Sequence, residues 1–94
     1  MPNFYTYQKN VTTSGTPVQC QDQPIDPGLS VSVTAKRANT GIISLANNST
    51  DAGKNSTAHK KLYPNDSLTL SVSNLSQIWL DSTVNGEGVE IVVG

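Results

Sequence analysis

The sequence predicts an all-β fold: a small antiparallel β-sandwich or barrel of about seven or eight strands, with no significant helix. Three observations predict it. Apolar residues recur at every second position in several segments, and nowhere at a convincing 3.6-residue spacing. Turn-forming residues separate those segments at short intervals. Ser, Thr and Asn make up about a third of the 94 residues, and Ser and Asn side chains compete for backbone hydrogen bonds in ways that disfavour helices.

Residues 4–11 form the first candidate strand, a weak one. They carry Phe4, Tyr5 and Tyr7, three of the five aromatic residues. An aromatic-rich segment on so small a domain is either an outer strand or an arm that docks on a neighbour. The expected organisation is therefore an N-terminal arm or edge strand over residues 1–10, then a single β-sandwich domain over 11–94. Residues 16–20 are a second weak strand. Residues 29–35 are the clearest, with apolar side chains at odd positions and hydroxyls at even ones. Residues 43–45, 68–72, 77–81 and 89–93 repeat the pattern.

The turns agree with this division. Asp26-Pro27-Gly28 fits a type II turn, because Pro sets φ and Gly supplies the positive φ that follows. Tyr63-Pro64-Asn65-Asp66 fits a type I turn. Asn39-Thr40-Gly41 separates two strands at hairpin spacing. Asn85-Gly86 carries the strongest two-residue hairpin signal. That hairpin would pair Asp81 with Glu90, Leu80 with Ile91, Trp79 with Val92 and Ile78 with Val93. Ile78, Leu80, Ile91 and Val93 then face the core. Trp79 and Val92 share the opposite face, either under another strand or as a subunit contact. Residues 47–61 are the longest stretch without a strand pattern, polar and with almost nothing to bury, and such loops are functional or disordered.

The composition excludes several classes of function. The net charge is −1 and charged residues make up 14% of the chain, so no basic stripe exists to bind nucleic acid. The single cysteine, Cys20, permits no internal disulfide and no thiolate metal cage. Residues 1–4 lack a basic and apolar leader, and no apolar run approaches the roughly 18 residues of a membrane helix, so synthesis in a cytoplasm with no membrane partner is expected. His59 is the one histidine and lies in the polar loop, where solvation is the ordinary state. Cys20 reads as a small buried hydrophobe. No nucleophile elbow, phosphate-cradling loop or dinucleotide fingerprint occurs, and Asp81 and Glu90 across the hairpin are the one pair placed for a cation. No enzyme activity, cofactor or catalytic residue is expected, and no metal site is assigned.

The runs Val11-Thr12-Thr13-Ser14-Gly15-Thr16-Pro17-Val18-Gln19, Ile25-Asp26-Pro27-Gly28-Leu29-Ser30-Val31, Asn39-Thr40-Gly41-Ile42-Ile43, Leu62-Tyr63-Pro64-Asn65-Asp66-Ser67-Leu68 and Asn74-Leu75-Ser76-Gln77-Ile78-Trp79-Leu80-Asp81, closing on Gly86-Glu87-Gly88-Val89, resemble small virion proteins of tailed bacteriophages. Cys20 and Pro64-Asn65-Asp66 depart from that pattern. The resemblance covers roughly residues 11–93, in strands and turns alone. It implies a β-sandwich subunit of the virion, on the head more often than the tail. On the head it implies a decoration (cement) protein that binds the major capsid protein and commonly forms a homotrimer. It carries over no active-site residues. Phe4, Tyr5, Tyr7, Trp79 and Val92 are the candidate protein contacts. The competing readings are a tail or baseplate subunit and a small carbohydrate-binding module.

Overall fold

Period-two segments become strands wherever one face can be buried, and here two sheets bury each other. The computed structural model describes residues 5–94 and contains eight strands. They are β1 (Tyr5–Asn10), β2 (Val18–Gln19), β3 (Val31–Ala35), β4 (Ile43–Ala46), β5 (Lys60–Leu62), β6 (Ser67–Leu70), β7 (Trp79–Ser82) and β8 (Gly88–Val93). The first sheet has the order β1-β8-β3-β6 and the second the order β2-β7-β4-β5. All pairings are antiparallel, and the result is a sandwich rather than a closed barrel. One helical turn, α1 (Ser49–Ala52), and a 3-10 turn at Leu75–Gln77 complete the regular structure.

The pairing has a simple rule. β1 pairs with β8, β2 with β7, β3 with β6 and β4 with β5. The chain is thus one long hairpin, doubled back between β4 and β5, with successive strand pairs laid into alternating sheets. This is the strand order of a double-sheet jelly roll. Only the β4–β5 connection stays within one sheet.

The core follows from the alternation. On the inner face of the first sheet, Val31, Val33, Ala35, Val89, Ile91 and Val93 are all fully buried. Tyr5 and Tyr7 from β1, and Leu68 and Leu70 from β6, pack against them. From the second sheet, Ile43, Leu45, Leu62 and Leu80 meet them, while Val11, Cys20, Ile25, Leu75 and Ile78 close the ends. Each full burial of a Val, Ile or Leu side chain contributes about 1.5–3 kcal/mol before entropy is counted.

Several sequence expectations need correction. Asn85-Gly86 does not make a hairpin, because β7 and β8 lie in different sheets. β8 already has β1 and β3 on its two edges, and β7 has β2 and β4, so neither has an edge free for the other. Gly86 does adopt positive φ (80°), but in a bulge: the Gly86 N–H donates to the Val11 carbonyl at 2.7 Å, while the Val11 N–H donates to the Glu87 carbonyl at 2.8 Å. Asn39-Thr40-Gly41 likewise links strands of opposite sheets. The turn at Tyr63-Pro64-Asn65-Asp66 has Asn65 at φ 71° and is closed by the Asp66 N–H onto the Tyr63 carbonyl, which makes it type II, not type I. The Asp26-Pro27-Gly28 turn is type II as expected, with Gly28 at φ 89°.

Residues 47–61 are not without structure. Asn48 caps α1 through a side-chain oxygen that accepts from the Asp51 N–H, Ala52 is fully buried, and Lys60 and Lys61 already belong to β5. The reason is the exposed outer face of the second sheet. The helical turn covers Ser44, whose hydroxyl donates to the Ala52 carbonyl.

Gly88 begins β8 where β1 crosses closest. A Cβ there would collide with the Lys9 carbonyl oxygen and with Asn10 Cα. Gly28 has positive φ but open space around it. Gly88→Ala is therefore expected to cost about 2 kcal/mol or more, through forced backbone displacement, and Gly28→Ala about 1 kcal/mol, through backbone strain alone. Urea melts of the two variants against wild type check the difference.

Candidate functional site

Six crossings between sheets leave two very different outer faces. In the first sheet the outward side chains form two rows across the strands: Thr6, Val92, Ser32, Thr69, and Gln8, Glu90, Thr34, Ser67. Hydroxyls and amides dominate, and Glu90 is the one charge in the two rows. The Thr34 and Ser67 hydroxyls are 2.8 Å apart in a hydrogen bond. Val92 is the apolar residue of the face, 37% exposed, and a shallow groove of about 260 Å³ runs beside it between Thr6, Gln8, Thr34 and Glu90. No element covers this face among the described residues.

The outer face of the second sheet is covered in part: Asp81 and Ser44 are buried, while Gln19 and Lys61 are exposed and Trp79 and Ala46 half-buried. Asp81 on β7 points outward and is fully buried beneath the connections that cross it. One carboxylate oxygen accepts from the Gly15 N–H at 3.0 Å and the Ser82 N–H at 2.8 Å, and the other from the Lys54 N–H at 2.8 Å. Main-chain donors from the β1–β2 and α1–β5 connections thus converge on one side chain. Lys54 Nζ reaches the Ser14 hydroxyl at 2.9 Å, and that hydroxyl donates to the Ser82 carbonyl at 2.7 Å.

A second carboxylate does similar work at the same end of the sandwich. Glu87 accepts from the Thr40 N–H at 2.6 Å, the Thr40 hydroxyl at 2.9 Å and the Gly41 N–H at 2.8 Å. Burial pushes its carboxyl up, but these three donors outweigh that and leave it below the ordinary glutamate value. The buried Asn39 side chain donates to the Gly88 carbonyl at 2.9 Å and holds the same β3–β4 crossing against β8.

The expected pairing of Asp81 with Glu90 is therefore wrong. Asp81 is buried in the second sheet, while Glu90 is exposed on the first, between Gln8 and Thr34. Asp81 already has three donors, which leaves the pair no cation to share. Among the described residues no group of three or more His, Cys, Asp or Glu side chains is placed to hold a metal ion. Trp79 and Val92 do not share a face either. Trp79 is half-buried on the second sheet between Gln19 and Ala46, and Val92 stands on the first. Ile78, Leu80, Ile91 and Val93 do all face the core, but from opposite sheets.

Phe4 lies outside the described residues. Tyr5 and Tyr7 belong to the edge strand β1, with rings packed against the core. The Tyr7 hydroxyl accepts from the Gln21 N–H at 3.1 Å. The Tyr5 hydroxyl is buried with no hydrogen-bond partner among the described residues. Burial raises the pKa of both phenols. Cys20 is buried as expected, and desolvation pushes its thiol up to about 11. His59 Nδ1 lies 3.0 Å from the Asp51 carbonyl oxygen, an anchor for the loop.

Sequence reasoning missed the two carboxylate clasps and the hydroxyl face as a unit. The alternation in Trp79-Leu80-Asp81 places Asp81 outward, but nothing local says that another connection will cover it. The hydroxyl face was legible strand by strand in the even positions of 29–35; its assembly needed the sheet order. No protein-family model, curated protein or solved structure matches the chain.

Asp81→Ala leaves three main-chain donors without their acceptor and is expected to destabilise the fold by about 3 kcal/mol in a urea melt, with Asp81→Asn intermediate. The Glu87 clasp predicts a pH dependence of definite sign. A carboxyl held below its unfolded value of about 4.3 contributes stability above that pH and loses it as pH falls through the lower folded value. Glu87→Gln is therefore expected to melt below wild type at pH 7, with the difference shrinking as pH falls below the ordinary glutamate range.

Proposed function

We propose that this chain is a non-enzymatic structural protein of a tailed bacteriophage, a decoration protein that binds the assembled coat and stabilises it through the open outer face of its first sheet. The observation that carries the reading is that face: built on four paired strands, poor in charge, covered by no other element among the described residues and carrying an exposed valine. Covering neutral hydroxyls that can re-form hydrogen bonds costs far less than covering unpaired charges, so such a face suits a protein partner. The strand runs that resemble small phage virion proteins point to the partner, the major capsid protein. The double-sheet jelly roll occurs among viral capsid domains, though a fold by itself does not imply a function.

The role fits the energetics of a shell. Anything that binds the assembled state and not the dissociated one stabilises it by mass action, and many copies add their modest contacts. A rigid body with clasped connections loses little conformational freedom on docking.

Purified protein is expected to co-sediment with expanded heads of the phage that encodes it, prepared without the protein. Val92→Glu is expected to reduce the bound fraction by more than about tenfold at unchanged melting temperature, since a charge at the centre of a contact is left unpaired. Failure of the wild-type protein to bind heads overturns the proposal, and binding to isolated tails in its place moves the protein to the tail.

A further inference from the structure

The two sheets have four edges: β1 and β6 in the first, β2 and β5 in the second. Natural proteins blunt such edges with charge, proline or shortness. β5 carries Lys60 and Lys61, and β2 is two residues long and follows Pro17. β1 carries Lys9, which pairs with the fully buried Val89 and so lies on the inner face, an inward-pointing charge. β6 has none of these devices. From Ser67 through Val72 the chain reads Ser-Leu-Thr-Leu-Ser-Val, with no charge and no proline. Among the described residues no main-chain hydrogen bond reaches residues 67–72 from the side away from β3.

The direction of the free groups follows from the ladder. Ser30 and Gly94 exchange two main-chain hydrogen bonds, at 3.0 and 3.4 Å, so the even residues of β3 bond toward β8 and the odd ones toward β6. Val31 and Val33 pair with Leu70 and Leu68, which uses the main-chain groups of those leucines. The N–H and C=O groups of Ser67 and Thr69 are left aimed at the free edge, and the same alternation carried one pair beyond Leu70 would add those of Ser71.

We propose that this edge pairs antiparallel with β6 of a second copy across a two-fold axis at Thr69, joining two four-stranded sheets into one of eight strands. The register is self-complementary, as an isologous contact requires. Thr69 meets Thr69 of the second copy, Ser67 meets Ser71, and every outward donor finds an outward acceptor. Leu68 meets Leu70 on the inner face. There the half-buried Leu68 and Leu70, with Val72 and, from the facing sheet side, Leu45, Lys60 and Ile78, line an open groove of about 330 Å³ beside the edge, and the incoming leucines extend its apolar part. A two-fold axis sets like residues near each other, so a charged edge such as β5 repels its own copy, whereas the neutral β6 does not. A strand pair of this length buries well under the ~1,200 Å² of a stable interface, so the dimer is weak and concentration-dependent. The inference stands apart from coat binding.

Sedimentation equilibrium of the full chain from micromolar to millimolar concentration tests it. The wild type is expected to pass from monomer to dimer. Thr69→Pro removes one outward N–H and spares the bonds to β3. Thr69→Lys sets two ammonium groups across the axis, on a face where the side chain has open space. Both variants are expected to weaken dimerisation by more than about tenfold, with unchanged circular dichroism; should Thr69→Pro fail to fold, Thr69→Lys decides. A wild type that stays monomeric to millimolar concentration, one that forms trimers, or a dimer that persists in Thr69→Lys overturns the proposal.

Discussion

Each strand of this chain takes its partner from the mirror position in the sequence, and the rest of the structure depends on that constraint. Because β1 must reach β8 and β2 must reach β7, the chain crosses between sheets at every connection except β4–β5. The crossings collect at the ends of the sandwich, where main-chain donors would otherwise be left without partners as they pass over the core. Every buried donor there needs an acceptor, and the two sheets supply none.

Side chains supply them. Asp81 gathers donors from two connections, Glu87 from a third, and Asn39 ties that third connection to β8. All three act around the start of β8 and the end of β7: Asp81 accepts from its place on β7, Glu87 accepts just before β8, and Asn39 donates from the connection itself. The other end uses a smaller version of the device. Asn74 caps the 3-10 turn, accepts from the Gln23 N–H and donates to Asp22. The connections that cross Asp81 and Ser44 have no counterpart on the outer face of the first sheet, which no element covers among the described residues.

What the sequence shows and what it hides divide along the same line. Side-chain alternation is a local property, so residues 29–35 announce both the strand and its buried face. Turn chemistry is local too: Gly28, Asn65 and Gly86 all adopt the positive φ that their residue types favour. Partner choice is not local. Asn85-Gly86 has ideal hairpin chemistry, yet the strands on either side of it go to different sheets, each paired on both edges with strands distant in sequence. A register built across that turn inherits the error, and with it the misplaced union of Asp81 with Glu90 and of Trp79 with Val92. The polar stretch before β5 hides its structure for a related reason. Its one buried residue, Ala52, is too small to stand out in a sequence, and its acceptors lie on other strands.

The sealed position of Cys20 gives the molecule an internal clock. Its thiol is nearly inaccessible and its pKa stands at about 11, so at neutral pH the reactive thiolate is scarce and shielded. It lies just past β2, the shortest strand, at the second-sheet edge where fraying would begin. The rate of alkylation there follows the opening of that edge, one irreversible mark per molecule, with no other cysteine in the chain to blur the signal.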